Sequence, residues 1–243
     1  MRKRIYFAAA MALAMVTFTS CSKEKNDSIE NGQNSIENTI EEWGDLDLPS
    51  GLLWCSHNVG AKYPENYGNY YAWGETTVKD RYSWLTYRYI NNENSQMKLT
   101  KYCNNSIYGD NGFTDNRIVL EPADDAATIN MGDGTRTPTI EEWMELMNNT
   151  TSSWTRENSV PGRTFKAANG NSIFLPAAGY YEGTSTTSVQ SRGIYWSASL
   201  DTETSPRNAQ VFDFNSSRQE KAIYYRSSGF TVRAVCERKN KSL

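Results

Sequence analysis

Histidine is nearly missing from this chain: His57 is the only one in 243 residues. Zinc centres are built from clustered imidazoles and thiolates, so a histidine-based metal site is excluded. A serine hydrolase would have to route its base through His57 alone, and no G-x-S-x-G elbow is present to supply the nucleophile. His57 therefore reads as a hydrogen-bonded structural residue. Positive charge is also short, with 25 Lys and Arg against 28 Asp and Glu. That balance leaves no basic footprint for nucleic acid. Cysteine is sparse, and its four positions form neither a CxxC pair nor a metal ribbon. The longest apolar run, residues 5–16, is twelve residues long, whereas a spanning helix needs about 20.

That short run has the form of an export signal. Arg2, Lys3 and Arg4 precede it, and the small residues Thr19 and Ser20 lead into Cys21. The stretch FTSC resembles a bacterial lipobox, in which Cys21 carries the lipid after cleavage; plain secretion is the alternative. Removal of residues 1–21 deletes three positive charges and no acids, taking the formal net charge from −3 to −6. An acidic surface is repelled by anionic headgroups, so membrane contact is expected through the lipid anchor alone. Residues 22–43 are polar and rich in Asn and Glu, as in a flexible tether. The expected location is the cell envelope, at the outer membrane, with either face open.

What the chain has in quantity is aromatic rings: 15 Tyr, 8 Phe and 7 Trp. From residue 44 to 237, short strand-compatible runs alternate with Gly, Asn, Asp and Pro clusters. A polar tail, 238–243, follows. In GFTVRAV, Phe230, Val232, Ala234 and Cys236 fall on one face of a strand, with Thr231 and Arg233 on the other. Two segments read as helices, 124–130 and 139–149. The fold class is α+β with many loops. Cys55 lies near the start of this domain and Cys236 near its end, so pairing of the terminal strands would let them form a disulfide. Buried thiols are the alternative for both, and for Cys103.

The segment TRTPTIEEWMELMNN carries Glu141, Glu142 and Glu145 close together. Paired catalytic carboxylates need environments that separate their pKa values, and nothing in this stretch supplies one. Thr139 and Glu142 instead have the spacing of a capping box. Ile140, Trp143, Leu146 and Met147 share the core-facing side, while Glu141 and Glu145 lie outward.

DLPSGLLWCSHNVGA, ENYGNYYAWGET, LEPADDAATINMGDGTRTPTIEEWMEL, NGNSIFLPAAGYY, YWSASL and SSGFTVRAV follow one another in order. Together they resemble the Fibrobacter succinogenes major paralogous domain of secreted and lipid-anchored bacterial proteins. A more distant similarity is to the formylglycine-generating, sulfatase-modifying domain. It rests on Asp125-Ala126, on Arg136-Thr137-Pro138-Thr139 with Glu142 and Trp143, and on Gly229-Phe230 with Arg233. Both likenesses imply a C-type-lectin-like fold with a small twisted antiparallel sheet, two helices and long loops. The enzyme's cysteines precede its closing G-F-R motif, and the stretch FNSSRQEKAIYYRSS here has none. Without a thiolate there is no nucleophile, so an oxidase is not expected.

A binding role is the leading expectation, with a glycan, a peptide or a partner protein as ligand; a structural subunit of a surface complex is the alternative. The candidate contacts are Tyr180, Tyr181, Arg192, Tyr195, Trp196, Asn208, Asn215, Arg218, Tyr224 and Arg226. Rigid rings and guanidinium groups bind at low entropy cost, and amides adapt to the ligand. Several of these rings, Trp196 first among them, also suit a core. No cofactor is required. Calcium is the one cation the loops invite, through Asp124 and Asp125 or the oxygen-rich segment 108–116; in the plainer reading Asp124 caps the first helix and the segment makes Asx turns. The anchor has a direct test: labelled palmitate should enter the wild-type protein and not Cys21→Ser. Unlabelled protein released to the medium would refute it.

Overall fold

One cation buried without a carboxylate joins the two ends of the domain. Arg233 is fully buried. Its guanidinium donates to Asn58 Oδ1 at 2.8 and 3.0 Å, to the carbonyls of Cys55 and Ser56 at 2.9 and 3.0 Å, and to that of Phe174 at 3.0 Å. Burial pulls the group below its usual value, yet arginine keeps its proton in proteins. Its charge is thus balanced by oriented carbonyl and amide dipoles.

The computed structural model describes residues 42–93 and 96–238, all within the compact unit Thr39–Leu243. Cys21 and nearly all of the tether lie outside the described residues. A four-stranded sheet runs β1 (Trp43–Asp45), β2 (Leu53–Asn58), β16 (Arg233–Cys236), β6 (Thr135–Arg136). A five-stranded sheet runs β14 (Gln219–Tyr225), β13 (Asn208–Asn215), β12 (Arg192–Leu200), β15 (Phe230–Thr231), β3 (Tyr70–Tyr71). The β12–β15 pair is parallel and the other pairs of both sheets are antiparallel. A three-stranded meander, β7 (Thr150–Glu157), β8 (Val160–Ala167) and β9 (Ser172–Pro176), and two small hairpins complete the strands. The hairpins are β4 (Ile90–Asn91) with β5 (Lys98–Leu99), and β10 (Tyr180–Glu182) with β11 (Ser185–Thr187). With α1 (Ala126–Met131) and α2 (Ile140–Asn149), this is an α+β protein of small, mostly antiparallel sheets.

The β12–β13 pair divides the interior in two. Ile194, Trp196 and Val211 pack with Tyr71, Trp73 and Phe230, whereas Tyr195, Phe212 and Phe214 pack with Trp54, Phe165 and α2. A strand covered on both faces reads as a continuous apolar run and loses its alternation. Residues 230–236 show the same effect. They leave the five-stranded sheet at Thr231, enter the four-stranded one at Arg233, and are buried from Phe230 through Val235. Thr231 and Arg233, on the opposite strand face from Phe230, Val232 and Ala234, are therefore buried as well.

At α2 the capping box is present. Thr139 Oγ1 accepts from the Glu142 amide at 3.3 Å, and Glu142 Oε2 accepts from the Thr139 amide at 2.8 Å. Glu142 also takes a bidentate pair of bonds from Arg136, at 2.6 and 2.7 Å. Trp143 stacks on Phe212 at 5.0 Å and meets Trp54 at 4.9 Å. Glu145, expected to face outward, is half-buried and accepts from the Ser50 amide. At α1 the cap is Asp125, not Asp124, with the carboxylate accepting from the amides of Ala127 and Thr128.

The disulfide considered as one alternative for Cys55 and Cys236 is not formed. Their strands do pair, but the register sets Cys236 opposite Leu53, and Cys55 is a buried free thiol. Cys103 is also buried and free. Substituting Arg233 by Met should lower stability by about 3 kcal/mol or more, because five bonds to buried oxygens go unmade; a shift in urea midpoint measures it. Arg233→Lys should recover only part of the loss, since three donors on one nitrogen cannot reach the same acceptors.

Candidate ligand-binding surfaces

The ten residues expected to bind ligand do not form one surface. Tyr195, Trp196 and Arg226 are fully buried and are corrected to structural roles. Tyr195 donates to the Pro176 carbonyl at 2.9 Å, and Trp196 Nε1 to that of Tyr71 at 2.7 Å. Arg226 sits among Trp73, Tyr87 and Tyr102, its guanidinium carbon 4.9, 5.2 and 5.7 Å from their ring centres. It donates to Tyr87 Oη and to the carbonyls of Lys101, Tyr102 and Pro206. Tyr102 holds a left-handed backbone, φ +56°; its carbonyl bonds Arg226 and its amide bonds Asp115. The long segment between β3 and α1, poor in regular structure, is thus fixed from within by one cation.

Three residues do gather. Tyr180 and Tyr224 lie edge-on to Phe230, at 5.9 and 5.2 Å, and Arg192 lies 5.5 Å over the Tyr224 ring. Nε and Nη2 of Arg192 both donate to Asp213, and Nη2 also reaches the Tyr224 hydroxyl. This pairing with Asp213 raises the Arg192 value further. Tyr181, the next residue along β10, packs separately against Tyr70 at 5.0 Å and Tyr82 at 5.4 Å. Arg218 joins at the margin, 2.7 Å from Glu220 and 3.9 Å from Asp213. The result is a half-exposed tyrosine row with one locked arginine.

Gly229 seats Tyr181 beside Tyr82. Its amide and carbonyl pair with those of Tyr181, and a Cβ there would stand 2.7 Å from the Tyr82 ring. Asn215 is set apart, its side chain accepting from the amides of Ser217 and Arg218 in the β13–β14 turn.

Asn208 leads to a concave site that the sequence reading missed. Asp201 accepts from the amides of Glu203, Thr204 and Ser205 and from the Thr204 hydroxyl, and Asn208 Nδ2 donates to it at 3.3 Å. The turn fixed in this way is one wall of a cleft of about 480 Å³. Asn104, Asn105 and Asn116 line it together with Thr202, Glu203 and Ser205. A second polar cleft, of about 370 Å³, adjoins it and shares Ser106. The available signal was the density of Asn, Ser and Thr in 104–116 and 201–208.

The carboxylates considered for calcium are engaged by protein donors. Asp124 accepts from Tyr89, Lys101 and Tyr102, and Asp125 from the amide and hydroxyl of Thr137 besides its capping bonds. In segment 108–116, Asp115 accepts from the amides of Tyr102, Cys103 and Arg117. A cation at Asp124 would have to displace Lys101. Burial raises both the Cys55 and Cys103 thiols, which lowers their thiolate fraction.

Compared with known proteins, the chain matches no protein-family model, no curated protein and no solved structure.

Acid should test the Asp124 cluster. Burial alone would raise this carboxyl, but bonds from Lys101, Tyr89 and Tyr102 outweigh burial and hold it below its usual value. Its stabilising contribution is present above an unfolded value of about 4 and is lost as pH falls through the lower folded value. Asp125 shifts upward through burial, so its slope has the opposite sign. Asp124→Asn should lower the urea midpoint at neutral pH and flatten its decline on acidification. An unaltered decline would refute the assignment.

Proposed function

We propose that the chain is a non-catalytic, envelope-anchored binding protein whose lectin-like domain takes a glycan. The observation that carries this reading is the pair of adjoining polar clefts lined by amides and hydroxyls. Sugar hydroxyls both donate and accept, and Asn, Ser and Thr side chains can answer either role. A volume near 480 Å³ falls within the range of small-ligand sites, about 300–1,000 Å³. The walls are held before any ligand arrives: Asp201 ties one turn, Asp115 the other loop, and Arg226 the backbone behind both. Such preorganisation reduces the ordering cost of binding. The tyrosine row beside Arg192 is a second contact surface, suited to a peptide or protein. The arrangement of strands, two helices and long loops is consistent with the lectin-like fold. A lipid on Cys21 and a polar tether would hold the domain at the outer membrane.

A structural or assembly role is the second reading, and the edge strand β14 favours it. Ile223 and Tyr225 are 43% and 59% exposed on a strand with one unpaired edge, which is a template for strand addition.

A glycan array followed by calorimetry tests the first reading. Asn104 and Thr202 both line the larger cleft. Combined Asn104→Ala and Thr202→Ala should weaken a bound glycan by about tenfold, through the loss of two hydrogen bonds. Unchanged affinity would place the glycan elsewhere. No retained sugar, together with concentration-dependent oligomers that Tyr225→Lys disperses, would establish the assembly reading instead.

A further inference from the structure

A different cleft, of about 300 Å³, opens where β1, β2, β7 and β9 converge. Trp43, Pro64, Ile173 and Phe174 give it apolar walls, and Glu157 stands on its lining. Its back is the Arg233 staple, which binds the carbonyls of Ser56 and Phe174, both lining residues. Ser56 Oγ lies buried there with no hydrogen-bond partner.

Glu157 is placed by the β7–β8 turn. Asn158 and Ser159 both have positive φ, 45° and 70°, as a two-residue type I′ turn requires, and Glu157 pairs with Val160 across it. The same turn brings a second carboxylate close, because Asn158 Nδ2 donates to Glu65 at 2.8 Å. Glu157 is half-buried, and its carboxylate accepts no hydrogen bond from a described residue. Burial and the Glu65 charge both raise it, against the opposing charge of Arg233. A carboxylate left so is stabilised by any cation that enters the cleft.

We propose that this cleft takes the arginine side chain of a peptide or protein partner. The guanidinium would engage Glu157, with Glu65 beside it, and the stem would lie against Trp43 and Pro64. Arginine suits the site better than lysine because its planar head stacks on rings and its donors span neighbouring carboxylates. The chain itself places a guanidinium near by: Arg238 bonds Asp45, another lining residue, at 2.6 Å. Asp45 is thereby neutralised, leaving Glu157 and Glu65 as the attracting charges.

Titration of the full chain with Nα-acetyl-arginine amide, followed by calorimetry, provides the test. Nα-acetyl-citrulline amide has nearly the same shape without the charge. Saturable binding of the arginine compound is expected, with citrulline weaker by about tenfold or more. Glu157→Gln, which keeps the shape of the side chain, should abolish that preference. Equal affinity for the two compounds would overturn the proposal even if the variant failed to fold. Absence of saturable binding, an unchanged preference in Glu157→Gln, or equal affinity for the lysine analogue would overturn it as well.

Discussion

The Arg233 guanidinium is the junction on which this architecture depends. It reaches β2 through Cys55, Ser56 and Asn58 and β9 through Phe174, so a single side chain ties the four-stranded sheet to the meander. Burying a cation away from water is costly, and no carboxylate pairs with this one among the described residues. Satisfaction comes from backbone carbonyls that would otherwise themselves be buried and unmet. Arg226 repeats the device among the loops, where three rings and three carbonyls enclose it. A loop-rich protein of this size has few long helices or strands to absorb its backbone polar groups. Two forked donors, each reaching several segments, take over part of that task.

How far the sequence could be read followed the range of the interactions. The start of α2 was legible because its determinants are local: Thr139, Glu142 and the spacing of Ile140, Trp143 and Leu146. The short helix was legible in place but misread in its cap, since Asp124 and Asp125 are adjacent and only tertiary contacts separate their roles. Tyr195 and Trp196 were ambiguous for a different reason. Consecutive strand residues point to opposite faces, and only a strand enclosed on both sides buries them both. Nothing in YWSAS announces two cores. The β7–β8 hairpin was not singled out, because TTSSWTRE carries little apolar patterning.

The binding surfaces were least legible. Oxygen-rich side chains marked segment 108–116 as a loop with Asx turns, but its meeting with residues 202–206 at a cleft depends on Arg226 and Asp201 at a distance. Arg226 looked like a contact residue by type and proved to be an organiser of the loops. Glu157 drew no notice at all. Its character depends on a two-residue turn, a neighbouring glutamate and a tryptophan more than a hundred positions earlier in the chain.

The order of pairing also sets when the domain can close. Asn58 and Arg233 are 175 residues apart, and β16 is the strand between β2 and β6. The four-stranded sheet therefore has a gap in its middle until the last strand arrives. Closure over so long a loop is slow, because its entropy is lost before any contact compensates. A chain emerging from its N-terminus keeps this sheet open until residues 233–236 have been made. Under the export proposed above, late closure would keep the chain threadable until β16 is delivered.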